Sequence, residues 1–362
     1  MYTLEPLQGT DLSVWDQILI NCPNSTAFHS TVWRDALADS FKQLTPAYFL
    51  IKENDSLIGG LPAFVFQPLP GIKMLHSMPW NLFGGIQLIE GLSVDVNRLI
   101  QAVETHLEHL VHEQNLCETL FTLSPHHPQN YGPGLIEAGY QRHENCSTHL
   151  LKTHPDYQVL WTAYNKRVRG AVRKADKTGV MVYDTDSESD LEVFYKIYLA
   201  TQKRLGGTPK PLSLMKALFR SHLAKLAIAK QNGLIIAGLL YLYFNRIVTL
   251  WCGASVPEFW EYRPNNAIFH HIIQWACTEG YKWVDLGASP PDNHGLIAFK
   301  EEFRAKRSDF CSYIKIHSPI KYGCTICHQG QGLATEAEAA HGHVKHWEDP
   351  MLEPPYVQAS CV

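Results

Sequence analysis

No apolar run in the 362-residue sequence reaches the roughly 20 residues a bilayer-spanning helix needs, so a membrane-embedded helical protein is not expected. The opening residues, MYTLEPLQGTDLSVW, lack the basic, then apolar, then small-residue order of a secretory signal; the expected location is the cytoplasm. Nine cysteines are scattered, mostly singly, through apolar stretches, which reads as reduced core residues and not as a disulfide framework. Charged residues make up only 18% and hydrophobic residues 45%, a balance that excludes an intrinsically disordered chain.

What is present is enough for two cores. The length exceeds a single ordinary domain, and sixteen Tyr, fifteen Phe and nine Trp supply large buried side chains. The net charge of −4 conceals an asymmetry: residues 1–150 hold 6 Lys and Arg against 15 Asp and Glu, whereas residues 151–330 hold 24 against 15. A basic half suits an anionic partner, although an ordinary solvated surface accounts for the same count.

Periodicity divides the chain further. Helical signals follow Asp11 and Ser30, the latter a plausible N-cap before Trp33, Leu37 and Phe41. Strand-like PAYFLIKEN and SLIGGLPAFVFQ flank the turn former Asn54-Asp55; an amphipathic helix over about 93–115 precedes a further strand, ETLFTLSP. The second half repeats this order: a helix at about 156–177, the strand GVMVYDT, helices at 188–205 and 211–223, then strands KLAIAKQNG, LIIAGLLYLYFN and RIVTLWCGAS, a helix at 264–279 and the strand KWVDLGAS. The expectation is a mixed α/β (α+β) fold in two related domains, 1–150 and 151–318, with a polar, His-rich extension over 319–362.

Three segments together resemble the FemAB-like acyltransferases, a tandem branch of the GNAT superfamily. The first comprises Phe28-His29-Ser30 before Trp33, with Ser77-Met78-Pro79 through Gly84-Gly85. The second is the basic stretch NKRVRGAVRKADKTG, residues 165–179. The third, and most specific, is Val284-Asp285-Leu286-Gly287, then Gly295-Leu296, then Phe299-Lys300 and Phe303. The resemblance covers about residues 1–317 and implies tandem GNAT-like domains, each a mixed, mostly antiparallel sheet flanked by helices. It also implies amide formation between an activated acyl or aminoacyl donor (acyl-CoA or aminoacyl-tRNA, as co-substrate and not as a resident cofactor) and an amine. The acceptor would be a small molecule or a cell-wall or polysaccharide precursor. Two features of relatives are missing: the long heptad hairpin of some peptidoglycan-bridge members, and the Arg/Gln-x-x-Gly-x-Gly/Ala loop that cradles the acetyl-CoA pyrophosphate in simple GNAT enzymes.

Such a transfer needs the amine deprotonated, the carbonyl oxygen stabilised and the substrates held together, with no enzyme nucleophile; the lack of a Ser-His-Asp signature is therefore neutral. The resemblance assigns Phe299 and Lys300 to the transfer centre, and a Lys there could face the developing oxyanion or a donor phosphate; a surface Lys beginning a helix is the competing reading. Asp285, ending a strand before Gly287, could act as base or orient the amine, or simply cap a turn. His294 is a further titratable group of the same loop. With Gly287 and Gly295 as substrate-side glycines, the helical stripe Lys166, Arg169, Arg173 and Lys177, flanked by Arg167 and Lys174, could contact tRNA or coenzyme phosphates, or be solvated. Trp251, Trp260, Tyr262 and Arg263 could line a donor channel, though core packing suits Trp251 better. In the tail, Cys324, Cys327, His341 and His346 match a zinc spacing, and Cys324 to His328 the c-type haem form; a His-rich tail with incidental Cys is the plainer reading, and no metal is assigned. The rival function is a catalytically inactive GNAT-fold binding protein with a metal-binding tail.

Overall fold

The computed structural model describes residues 1–126 and 130–323. The four tail residues with zinc spacing, and His328, lie outside the described residues.

The first half carries β1 (Tyr2–Pro6), α1 (Leu12–Ile20), α2 (Thr31–Ser40), β2 (Leu44–Pro46), β3 (Phe49–Glu53), β4 (Ser56–Leu61), β5 (Phe64–Leu69) and β6 (Ile72–His76). It continues through β7 (Gln87–Leu88), α3 (Val96–Gln114), β8 (Leu116–Thr122), α4 (Gly132–Glu137) and β9 (Gln141–Lys152). The second half carries α5 (Tyr157–Ala163), α6 (Lys166–Lys177), β10 (Met181–Thr185), α7 (Glu188–Leu205), α8 (Leu212–Arg220), β11 (Ala224–Gln231) and β12 (Leu234–Phe244). It ends with β13 (Ile247–Ser255), α9 (Pro264–Thr278), β14 (Trp283–Ser289), α10 (His294–Glu301) and β15 (Lys306–Ile316).

Local chemistry sets several of these limits. The Ser30 hydroxyl accepts from the Trp33 amide at 3.1 Å, and Trp33 and Leu37 of that helix are fully buried. Asp95 caps α3 in the same way, and Asn115 ends it in the left-handed region at φ 58°. Asn54 and Asp55, at φ 48° and 66°, turn β3 into β4 as their residue types suggest. The helix expected over 156–177 is broken at Tyr164-Asn165. Tyr164 leaves helical geometry to bury itself against Phe303, and Asn165 starts α6 by accepting from the Arg167 amide at 3.0 Å.

A four-stranded sheet, β1-β3-β4-β7, lies beside an eleven-stranded one ordered β10-β11-β12-β13-β14-β9-β15-β8-β6-β5-β2. Most neighbours are antiparallel; β6 with β8, and β13 with β14, are parallel. Five strands have no counterpart in the sequence expectations: β1, β6, β7, β9 and β15. The last two hold the halves together. β9 pairs with β14 on one side and β15 on the other, and β15 continues on to β8 of the first half. Residue 150 falls inside β9. At the turn after β12, Asn245 donates to the carbonyls of Leu19 and Cys22 and to the Ser25 hydroxyl, tying the second half to the end of α1.

The two parallel pairs behave differently beyond their ladders. β6 and β8 separate after His76 and Leu120, but the chain fills its own gap. The Ser77 amide donates to Leu120, the Thr122 amide to the Ser77 hydroxyl, and the Gly84 amide to Thr122, all at 2.8–3.1 Å. A Cβ at Gly84 would lie 2.5 Å from the Ser77 hydroxyl, so the glycine is what lets this plug close. β13 and β14 pair only from Ile247/Trp283 to Thr249/Asp285, then diverge, and no comparable segment closes that gap among the described residues.

Candidate functional site

The open gap is a cleft of about 330 Å³, within the range of small-molecule sites. Its walls come from β12, β13 and β14, from α7, α9 and α10, and from Phe28, Leu82 and Phe83 of the first half. Past Thr249 the β14-facing edge of β13 has no strand partner among the described residues, so backbone groups there are available to a ligand.

The loop after β14 holds one side. Asp285 is buried, and one of its oxygens accepts from the Thr148 hydroxyl and, at 2.9 Å, from the Gly287 amide. Burial lifts its carboxyl above the usual carboxylate range, opposed by these two donors and by Lys300 and His149. Gly287 sits at φ 81°, a backbone state glycine adopts freely, and a Cβ there would come within 3.1 Å of the Leu250 carbonyl. Asn293 caps α10 by accepting from the Leu296 amide. From α10 the Lys300 ammonium returns to the loop, donating to the carbonyls of Gly287 (2.8 Å) and Ala288 (2.9 Å) and to the Ser289 hydroxyl (2.9 Å). Phe299 packs edge-on against Phe269 and Phe303.

At the far end of β13, Ser255 accepts from Trp260 Nε1 at 2.8 Å and Asn265 Nδ2 at 3.2 Å. Arg204, near the end of α7, stacks its guanidinium 5.1 Å from the Trp260 ring centre and has no carboxylate partner among the described residues. Trp251 presents an indole N–H that is buried without a hydrogen-bond partner.

Of the residues singled out in the sequence, Asp285, Gly287, Phe299, Lys300, Trp251 and Trp260 line the cleft together. Lys300 differs from expectation in posture: it is 3% exposed and braces the loop, whereas the sequence suggests a surface Lys or a cation facing the developing oxyanion or a donor phosphate. Gly295 and His294 lie exposed at the start of α10, and Tyr262 and Arg263 stand outside the lining. The basic stripe is elsewhere. No α6 residue lines the cleft; Val168, Val172 and Ala175 bury one face of the helix. Arg169 is engaged with the carbonyls of Thr162 (2.5 Å) and Tyr164 (2.8 Å), Arg173 stacks over Trp161, and Lys166 and Lys177 are exposed. Lys166, Arg169, Arg173 and Lys177 therefore form an outer surface, because the same helical period that aligns the charges turns the apolar face inward.

Sequence reasoning missed Arg204, Asn265 and His149. Arg204 lies in a helix with no distinctive motif, and its pairing with Trp260 joins residues far apart in the chain. His149, on β9, is fully buried with no hydrogen bond at either ring nitrogen, and its Nε2 lies 3.9 Å from the Glu301 carboxylate. Burial and the neighbouring Lys300 lower its basicity.

Comparison with known proteins follows the same division. Residues 163–301 match the family model "Acetyltransferase (GNAT) domain". Over 158 residues, 42% of the chain, it is 25% identical to the UDP-N-acetylmuramoylpentapeptide-lysine N(6)-alanyltransferase of Weissella viridescens, and this match spans about half (47%) of that curated relative's length. Among solved structures, FemX superposes with a TM-score of 0.68 over 85% of this chain and 96% of its own, at 15% identity. A tandem GNAT protein from the clavulanic acid biosynthesis pathway gives 0.55 over 88% and 99%, at 13% identity. The C-terminal domain of a lysylphosphatidylglycerol synthetase from Agrobacterium fabrum gives 0.55 over 91% and 95%, at 12% identity. The chain thus shares the fold of FemX and of the tandem GNAT protein, and its match to the GNAT domain model lies in its second half.

Proposed function

We propose that the protein is an acyltransferase that joins an acyl or aminoacyl group from an activated donor to an amine, with its chemistry in the second lobe, residues 151–318. The observation that carries this reading is the open divergence of β13 and β14, which leaves a strand edge free beside a buried carboxyl and a braced loop. The curated relative is named for alanyl transfer to a lysine amine, and residues 163–301 of this lobe match the GNAT domain model.

In this reading the amine nitrogen attacks the donor carbonyl carbon, a C–N bond forms, and the C–O or C–S bond to the donor breaks. The amine's surplus proton passes to the leaving oxygen or sulfur. Unpaired backbone N–H groups on β13 stabilise the developing oxyanion, the usual large term in acyl transfer. Asp285, held partly towards its neutral form, accepts or relays the amine proton. Lys300 fixes the Gly287–Ser289 backbone in position and lends positive charge to the wall. Arg204 and Asn265 take the anionic portion of a donor or acceptor at the other end. A cell-wall precursor amine is the favoured acceptor class, with aminoacyl-tRNA and acyl-CoA as the competing donors, acting in the cytoplasm. No described helix is long and apolar enough to cross a membrane.

The test mixes purified protein with alanyl-tRNA, acetyl-CoA and longer acyl-CoAs in the presence of lysine-containing amines, following loss of ester or thioester. Consumption that depends on the amine supports the assignment; no consumption of any donor refutes it.

A further inference from the structure

Resting on the acyl-transfer reading, we propose that the group transferred is an apolar, medium-chain fatty acyl group. The cleft continues through the divergence of β13 and β14 to the other face of the sheet. A bulge in the β12–β13 ladder, with Trp251 as the extra residue, leaves Leu250 and Gly253 on the face covered by α9, and Trp251 and Ala254 on the face that meets the first half. On that second face the walls are Phe28, Leu82, Phe83, Trp251, Ala254 and Phe310.

These six walls carry no charged group, hydroxyl, carboxamide or carboxylate; the polar groups that border them are the Thr201 hydroxyl and two cations, Arg204 and Lys210, the latter 5.4 Å from the Trp251 ring centre. Phe83 stands between Phe28 and Phe310, edge-on to both with ring centres 6.5 and 5.0 Å away, and Trp33 buttresses Trp251 at 5.3 Å. Polar side chains collect instead around the Asp285–Lys300 loop and at the Ser255 end of β13, where Trp260, Asn265 and Arg204 meet. From Thr249 to Ser255 the strand advances about 20 Å, so the cleft is an elongated channel with polar stations at its two ends. An ammonium-bearing alanyl group in the aromatic compartment would lose its hydration beside the like charges of Arg204 and Lys210, with no carboxylate among the lining of that face. A methylene chain would gain about 0.8 kcal/mol per buried CH₂, close to fourfold in binding constant. The aromatic walls belong to the core of the fold, so the compartment is rigid and its size selects the chain.

The experiment measures binding of acetyl-, butyryl-, octanoyl- and dodecanoyl-CoA to the full chain by isothermal titration, with alanyl-tRNA and acetyl-CoA turnover followed in parallel. The expected result is an affinity that rises about fourfold per methylene until the aromatic compartment is filled. Ala254→Leu should move the optimum to shorter chains. Leu82→Trp, at a half-buried position where folding is less at risk, should move it the same way. Equal affinity along the series while alanyl-tRNA or acetyl-CoA is turned over overturns the fatty-acyl assignment and leaves the acyl-transfer reading standing. If no donor is bound or consumed, both fall.

Discussion

Replacing Lys300 by Met keeps most of the side-chain volume and removes the ammonium. Three oxygens lose a charged donor at 2.8–2.9 Å: the carbonyls of Gly287 and Ala288 and the Ser289 hydroxyl. Hydrogen bonds to charged groups contribute about 1.5–3 kcal/mol each. The three share one ammonium, and the loop borders a cleft from which water can re-solvate the carbonyls. The expected net loss is therefore about 3 kcal/mol, well below the additive figure, and consistent with breaking one buried charged site. The loss should be local first. Amide hydrogen exchange across residues 286–290 should accelerate on the order of 100-fold, while peptides from β11 and β12 remain protected. Urea unfolding followed by fluorescence would show the accompanying fall in midpoint. Donor turnover should drop together with loop protection, since the same backbone frames the cleft. If the Met variant matches the parent chain in exchange at 286–290 and in urea midpoint, the bracing role is wrong, and a loss of turnover alone would then mark Lys300 as a direct participant.

Other expectations follow from neighbouring groups. Asp285→Asn should fold as well as the parent, because the amide oxygen can still accept from Thr148 and Gly287. The Asp285 carboxyl is raised on folding, so its ionisation costs stability as pH climbs above the ordinary carboxylate range; the Asn variant should show a flatter thermal-stability profile over that rise and at least tenfold slower turnover. Burial lowers His126 and His270 to about 4. Stability should accordingly be present near neutral pH and be lost as pH falls below about 6.5, by about 1.4 kcal/mol per pH unit for each, and His270→Phe should reduce that slope in pH-dependent urea melts. Arg204→Ala should weaken binding of an anionic substrate by about tenfold at low salt and less at high salt, measured by titration; a salt-independent effect would argue against a phosphate or carboxylate at Arg204. Reversing Lys166 and Lys177 to Glu on exposed α6 should leave acyl-CoA turnover unchanged and alter alanyl-tRNA turnover only if the outer stripe carries RNA.

How much was legible in advance depended on the range of the cause. The caps and turns were readable because their chemistry is local: Ser30 bonds an amide three residues away, and Asn54-Asp55 provides its own left-handed geometry. The Asp285, Gly287 and Lys300 group was readable as a motif, since its members fall within sixteen residues. β9 and β15 were not, because each is a strand by virtue of partners from the opposite half of the chain, and neither carries a clean alternation. The α6 stripe was read correctly as a helical charge face, yet periodicity reports only which residues share a side, never what that side confronts.

By itself the sequence determined two α/β halves, the capped and punctuated helices, and the composition of the loop from Asp285 to Phe303. Tertiary structure alone decided that the first half's strand gap is plugged by Ser77–Gly84 while the second half's stays open. It also decided that Lys300 turns inward, and that Arg204 meets Trp260. The physical reason is that a cleft is a mismatch between packed surfaces: it depends on where distant elements fail to meet, which no local propensity encodes.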